Sequence, residues 1–208
     1  LPIAYTEGPV GKKLSYVLSA RVSPLTYEYR AARKFLPHML GGLDNFNAKV
    51  GDLYGKLHFQ VNEKSALDAS FLGSMDSYGY DSQGDSRDEI SWDNLLGIVR
   101  YRYDGEVTSF NLTASANRYG SRQKQDKTYR GEVSHYSLRS SLMEYGLKAG
   151  LQHRFLDERL VIGEGLNLRY GRFAPGQIGE DTRTSNTMLS TLWLQAEYNI
   201  PEKLSAKA

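Results

Sequence analysis

Two long runs of alternating apolar and polar residues meet between Leu138 and Tyr170, and no other feature limits the fold of this chain so tightly. In the first run Tyr145, Leu147, Ala149, Leu151, His153 and Phe155 share one side, and Glu144, Lys148, Gln152 and Arg154 the other. A period of two is a strand period, and charge at almost every second position sets the other face in water rather than against a second sheet. Runs of roughly ten such residues are long for a soluble strand, which usually stops near five or six. They match what a tilted strand needs to cross a bilayer. The connection Leu156-Asp157-Glu158-Arg159 makes the pair a hairpin.

Composition decides which membrane architectures remain. No run approaches 18 apolar residues, so a transmembrane helix is excluded. A mean hydropathy of −0.52 does not argue against a barrel, where only every second strand residue faces lipid. With no Cys among 208 residues there is neither a disulfide framework nor thiolate-bound metal. A net charge of +2 gives no reason to expect nucleic acid.

Strands and turns alternate along the whole chain. Leu1 to Tyr5 reads as the tail of a strand, and the Glu7-Gly8-Pro9-Val10-Gly11-Lys12-Lys13 stretch as a turn. Tyr16, Leu18, Ala20 and Val22 then oppose Ser15, Ser19, Arg21 and Ser23. Residues 24–49 lose the period and are expected to form a loop, with a short helix over 30–39. Leu53, Leu57, Phe59 and Val61 oppose Asp52, Lys56, His58 and Gln60 before a tight turn at Asn62-Glu63-Lys64-Ser65. Leu67, Ala69, Phe71 and Met75 continue the apolar side. Loops are expected again at 78–89, 120–132 and 174–187. Asp104-Gly105 signals a hairpin. Beyond the central pair, Leu192, Leu194, Ala196 and Tyr198 line one more strand, and Leu204 to Ala208 reads as a strand just beginning, so the chain is expected to be a piece of a longer one.

Short turns at one end of the strands and long connections at the other are how transmembrane barrels are built. Tyr101, Tyr103, Phe155, Tyr198 and Phe59 cluster near the short turns on the apolar side, as an interfacial girdle requires. The expected fold is therefore all-β, an antiparallel transmembrane β-barrel, with 1–208 as one barrel segment. A soluble ligand-binding β-barrel is the alternative, and a passive porin or small adhesin barrel is another.

Several motifs resemble the early barrel strands of TonB-dependent outer-membrane receptors of the Bacteroidetes type. They are Glu7-Gly8-Pro9 followed by Lys12 to Arg21, Asp52-Leu53-Tyr54-Gly55-Lys56-Leu57 with Asn62-Glu63-Lys64-Ser65, and, in matching order, Trp92-Asp93-Asn94-Leu95 and Tyr136-Ser137-Leu138 to Phe173. The resemblance is spread over nearly the whole chain and implies about nine of the roughly 22 strands of such a barrel. The plug domain, TonB box and C-terminal barrel end are outside this sequence. It implies a bacterial outer-membrane location and energised uptake of a scarce glycan, peptide, siderophore or cobalamin. Implied partners are outer-membrane lipid, the protein's own plug domain, TonB and a surface lipoprotein.

Candidate chemistry is sparse, and no catalytic, cofactor or metal site is expected. His38, His58, His135 and His153 are scattered without ligand spacing. Asp85, Asp88, Glu89, Glu180 and Asp181 read as solvated loop acids before they read as a Ca²⁺ site. The aromatic loop residues Tyr27, Tyr29, Phe35, Phe46, Tyr78, Tyr80, Tyr119 and Tyr129 are the candidates for ligand or partner contact. Arg21, Asp52, Lys56, Asp68, Arg100, Arg102, Glu144, Lys148, Arg169 and Glu197 form a polar row expected to face the lumen and a plug. Glu164 breaks the pattern by falling on the apolar side, which a shallow position or a β-bulge would explain.

Overall fold

The computed structural model describes residues 3–36, 44–82, 86–157, 159–176, 184–200 and 204–207. Ten strands follow one another as a single antiparallel meander, each paired with its neighbours in sequence. They are β1 (Ile3–Val10), β2 (Leu14–Ser23), β3 (Asp44–Asn62), β4 (Ser65–Ser82), β5 (Ser86–Asp104), β6 (Thr108–Tyr129), β7 (Glu132–Phe155), β8 (Leu160–Ala174), β9 (Ser185–Ile200) and β10 (Leu204–Lys207). The sheet is open, with β1 and β10 at its edges. Among the described residues there is no interior of the usual kind, since only Ala48 and Ala66 are buried apolar side chains. A single twisted sheet must cover its apolar face with something other than itself.

That apolar face is continuous from strand to strand. Leu18 pairs with Gly55, Gly55 with Phe71, Phe71 with Gly97, Gly97 with Ala116, and Ala116 with Tyr145, all on one side. At its lower end, beside the short turns, Phe59, Tyr101, Tyr103, Phe110, Phe155 and Tyr198 form an aromatic row, with Tyr101 and Phe110 6.3 Å apart. At its upper end Tyr145 and Tyr170 stack across β7 and β8 at 6.5 Å. From Leu160 to Tyr170 the band runs for about 33 Å of strand, or about 25 Å of height at a tilt near 40°.

Glu164 sits inside this band, opposite Leu151 on β7 and Leu194 on β9. The register is unbroken on both sides, so a β-bulge does not explain it. Nor is it shallow: four residues above Leu160 places it about 10 Å above the lower aromatic row, close to the middle of a band about 25 Å tall.

Two of the expected long loops, 78–89 and 120–132, are corrected to extended strand, whereas the expected 174–187 loop falls largely on 177–183, outside the described residues. Strands β6 and β7 run 22 and 24 residues, far beyond the nine to eleven that cross a bilayer. The 120–132 stretch is a hairpin closed by Arg130 and Gly131, both at positive φ (51° and 84°). Residues 78–89 likewise lie on β4 and β5 apart from 83–85, which fall outside the described residues. On β6 the extension carries polar residues on both faces, so the apolar period that marks a strand is missing there although the ladder continues. The first expected turn is also shorter, because β1 continues through Pro9 to Val10; Pro is tolerated on such an edge strand.

A helix does form in the 24–49 segment, over Leu25–Phe35 (α1) rather than 30–39. Its position follows from an edge. Strand β2 stops at Ser23 opposite Val50, leaving the upper part of β3 without a partner on that side. Thr26 supplies one: its hydroxyl accepts from the Ala48 N–H at 2.7 Å and donates to the Ala48 carbonyl at 2.7 Å. Both groups are buried, and α1 thereby closes an edge that would otherwise be open to pairing. The ring of Tyr29 packs on Phe46 at 4.6 Å.

Candidate functional site

The side opposite the apolar band carries every residue expected of the polar row. Arg21, Asp52, Ser74, Asn94, Tyr119 and Leu142 are successive partners on β2 to β7. Lower down, His58, Asp68, Arg100, Thr113, Lys148 and Asn167 do the same on β3 to β8. Lys56, Arg102, Glu144, Arg169 and Glu197 share this face by alternation.

Charges on this face pair selectively. The Arg21 guanidinium reaches Asp52 Oδ2 through Nε at 2.7 Å and a terminal nitrogen at 2.5 Å. Asp68 is a hub: His58 Nδ1 lies 2.9 Å away, an Arg102 nitrogen 3.0 Å and Lys56 Nζ 3.8 Å. Arg169 lies 3.8 Å from Glu144. Arg154 bonds Asp104 at 3.0 Å and the Gly105 carbonyl at 2.9 Å, tying β7 to the turn before β6. Arg100 and Lys148 flank Thr113 two strands apart and make no ion pair among the described residues. The Asn117 amide oxygen on the same face is buried without a hydrogen-bond partner. Two cations and an acceptor on this face are thus left without a protein partner among the described residues.

The face is not uniformly polar. Leu72, Leu96 and Ile98 lie on it beside Asn117, and Trp193 lies across Gly163 and Gly165. A Cβ at Gly165 would fall 2.5 Å from the indole, so glycine is what lets the ring lie flat there.

Above the band the two faces exchange character. On the outward side the residues turn charged, as in Arg118, Arg122, Lys124 and Asp126 of β6. On the inward side Tyr78, Ile90, Trp92, Tyr119, Tyr136, Leu138, Leu142 and Phe173 replace the charges found below. Tyr78 and Trp92 are 5.5 Å apart, forming a shelf over the Arg21–Asp52 pair. The period of two persists while its phase inverts at the upper rim. Trp92, Ile90, Tyr136, Leu138, Leu142 and Phe173 escaped sequence reasoning for that reason. The available signal was the phase change itself, visible in Tyr136, Leu138 and Ser140 set against Arg139 and Ser141.

The aromatic candidates therefore divide. Tyr78, Tyr80 and Tyr119 are on strands and face inward, and Phe46 is on β3, so they are not loop residues. Tyr129 ends β6 at the hairpin tip, 71% exposed, with the Arg130 guanidinium 5.3 Å from its ring. Tyr27, Tyr29 and Phe35 are on α1, with Tyr27 and Phe35 strongly exposed. Between α1 and β3 to β5 lies a pocket of about 480 Å³ lined by Tyr29, Arg30, Phe46, Lys49, Tyr80 and Arg87. Among the described residues no three His, Asp or Glu side chains converge on a metal position. His38, Asp85, Glu180 and Asp181 lie outside the described residues.

No protein-family model matches the sequence, and no curated protein matches it. Solved structures do. The ferric preacinetobactin receptor BauA of Acinetobacter baumannii superposes with a TM-score of 0.60 at 9% identity, over 98% of this chain and 38% of that one. The copper transporter OprC gives 0.68 at 12%, over 96% and 34%. The ferric yersiniabactin uptake receptor FyuA of Yersinia pestis gives 0.61 at 10%, over 96% and 35%. The chain thus spans about a third of each, and its sheet has the fold of part of a TonB-dependent-receptor barrel.

Proposed function

We propose that this chain is a wall segment of a TonB-dependent outer-membrane receptor that takes up a scarce nutrient of the glycan, peptide, siderophore or cobalamin class. The observation that carries the reading is the outward apolar band, about 25 Å tall, bounded by an aromatic row at the short turns and by charge at the far end. An open sheet with this band needs further strands to remove its edges in lipid. The charged inward face, with Arg100, Lys148 and the Asn117 amide oxygen unpaired among the described residues, suits a polar plug domain. The inverted aromatic zone above it, centred on Tyr78 and Trp92, suits a substrate entering from outside. The resemblance to two ferric-siderophore receptors and a copper transporter supports the class, and the choice among nutrients rests with the rest of the barrel.

The test is uptake by cells carrying the full-length protein, with and without a functional TonB system. Energised uptake predicts growth on limiting nutrient only when TonB is present; growth independent of TonB would make the protein a passive pore. A full-length protein that folds and stays monomeric without detergent would overturn the membrane reading altogether.

A further inference from the structure

The outward face just above the apolar band carries an unusual set of arginines. Arg118 on β6 faces Met143 on β7, which faces Arg172 on β8, so two guanidiniums share one row directly over the stacked Tyr145 and Tyr170. One turn of the alternation higher on β6, past Gly120, Arg122 stands directly opposite Arg139 of β7. Like charges opposite one another across a sheet are destabilising, yet none of the four makes an ion pair among the described residues. Arg122 Nε is moreover buried with no hydrogen-bond partner.

Neighbouring charges do not relieve this. Glu89 is 4.0 Å from Lys124, Asp126 is 2.8 Å from His135, and Asp81 is 3.9 Å from Arg87. Asp93 lies between the two rows, over Gly120, where a Cβ would meet its carboxylate at 2.7 Å. Among the described residues that leaves one carboxylate against four guanidiniums. Planar guanidiniums bind phosphate oxygens in pairs, and this set lies at the border between an apolar surface and water.

We propose that the Arg118, Arg122, Arg139 and Arg172 tier binds the phosphate head group of a membrane lipid whose chains descend along the apolar band. The proposal rests on the reading that this band spans a membrane. A lipid is the occupant, rather than a soluble anion, because the apolar surface continues below the arginines on β7 through Tyr145, Leu147, Ala149 and Leu151. The inward face offers Arg100 and Lys148 instead, and those belong to the wall.

The experiment compares the full-length protein in phosphatidylcholine nanodiscs with and without phosphatidic acid, with retained lipid counted by native mass spectrometry. Retention of phosphatidic acid over phosphatidylcholine is expected, reduced about 25-fold in R122Q/R139Q at about fivefold per arginine, and mostly preserved in R122K/R139K. R118Q/R172Q gives an independent second variant should the first fail to fold. Equal retention of both lipids, or no loss in either glutamine variant, overturns the proposal. Displacement by inorganic phosphate alone also overturns it, because the site would then be one for an adventitious ion only. Failure to insert into either nanodisc sinks the membrane reading itself, whereas insertion without preference sinks only the lipid site.

Discussion

Replacing Glu164 with Leu should stabilise the folded protein in a bilayer, against the usual direction of a substitution. Glu164 is exposed on the outward face, its cross-strand neighbours are Leu151 and Leu194, and no hydrogen bond or ion pair holds its carboxylate among the described residues. Its height, about 10 Å above the lower aromatic row, puts it within about 3 Å of the middle of a band about 25 Å tall. A basic residue at that depth costs about 2–4 kcal/mol, and an acidic one somewhat less. Leu adds apolar area next to two leucines in exchange. The expected gain for Glu164→Leu is therefore about 1–3 kcal/mol, with Glu164→Gln gaining less. Denaturant unfolding of the full-length protein in phosphatidylcholine vesicles measures it, with Glu197→Leu on the inward face as a control that should not stabilise. A destabilised Glu164→Leu protein would refute the reasoning, because the carboxylate would then have a partner in place of lipid tails.

Three more outcomes follow from the geometry. Thr26→Val removes both hydrogen bonds to Ala48 and should raise amide exchange at Ala48 and along the unpaired edge of β3, at a local cost of about 1–3 kcal/mol; hydrogen exchange with mass spectrometry reads it. Gly165→Ala should destabilise by about 1–3 kcal/mol in an unfolding titration, since the added Cβ meets both the Trp193 indole and the Ala149 carbonyl at about 2.6 Å. Asp68→Asn leaves Lys56, His58 and Arg102 crowded without their shared carboxylate and should cost about 1–3 kcal/mol, whereas Asp52→Asn, which releases the single partner Arg21, should cost about 1 kcal/mol or less. Equal losses in these last two variants would show that the hub at Asp68 has no special role.

What could be read in advance depended on where water and apolar surface alternate. Within the band, Glu164 and His153 apart, the residues of one face are apolar, so the facing of Leu53, Val99, Leu147 and Leu166 was legible, as were the short turns at Gly11, Glu63 and Asp104. Above the band Arg122 and Gln123, or Lys124 and Gln125, are polar on both sides. Periodicity there carries no signal, and segments that continue the ladder looked like loops. The aromatic shelf at Tyr78 and Trp92 was hidden by the inverted phase, and only the ladder shows that Tyr119 and Leu142 complete its lower border.

The sequence by itself determined the strand period, the two-faced wall and the rim of short turns, because these follow from local chain geometry and the sign of each side chain's transfer to water. Tertiary structure decided the rest. Register brought Asp68 to His58 and Arg102, set Arg122 against Arg139 across neighbouring strands, showed Glu164 to lie in unbroken ladder near mid-band, and brought the Thr26 hydroxyl to the bare edge of β3. Each of these depends on which residue of one strand meets which residue of the next. A shift of one position would move every side chain to the opposite face, and no single strand contains that information.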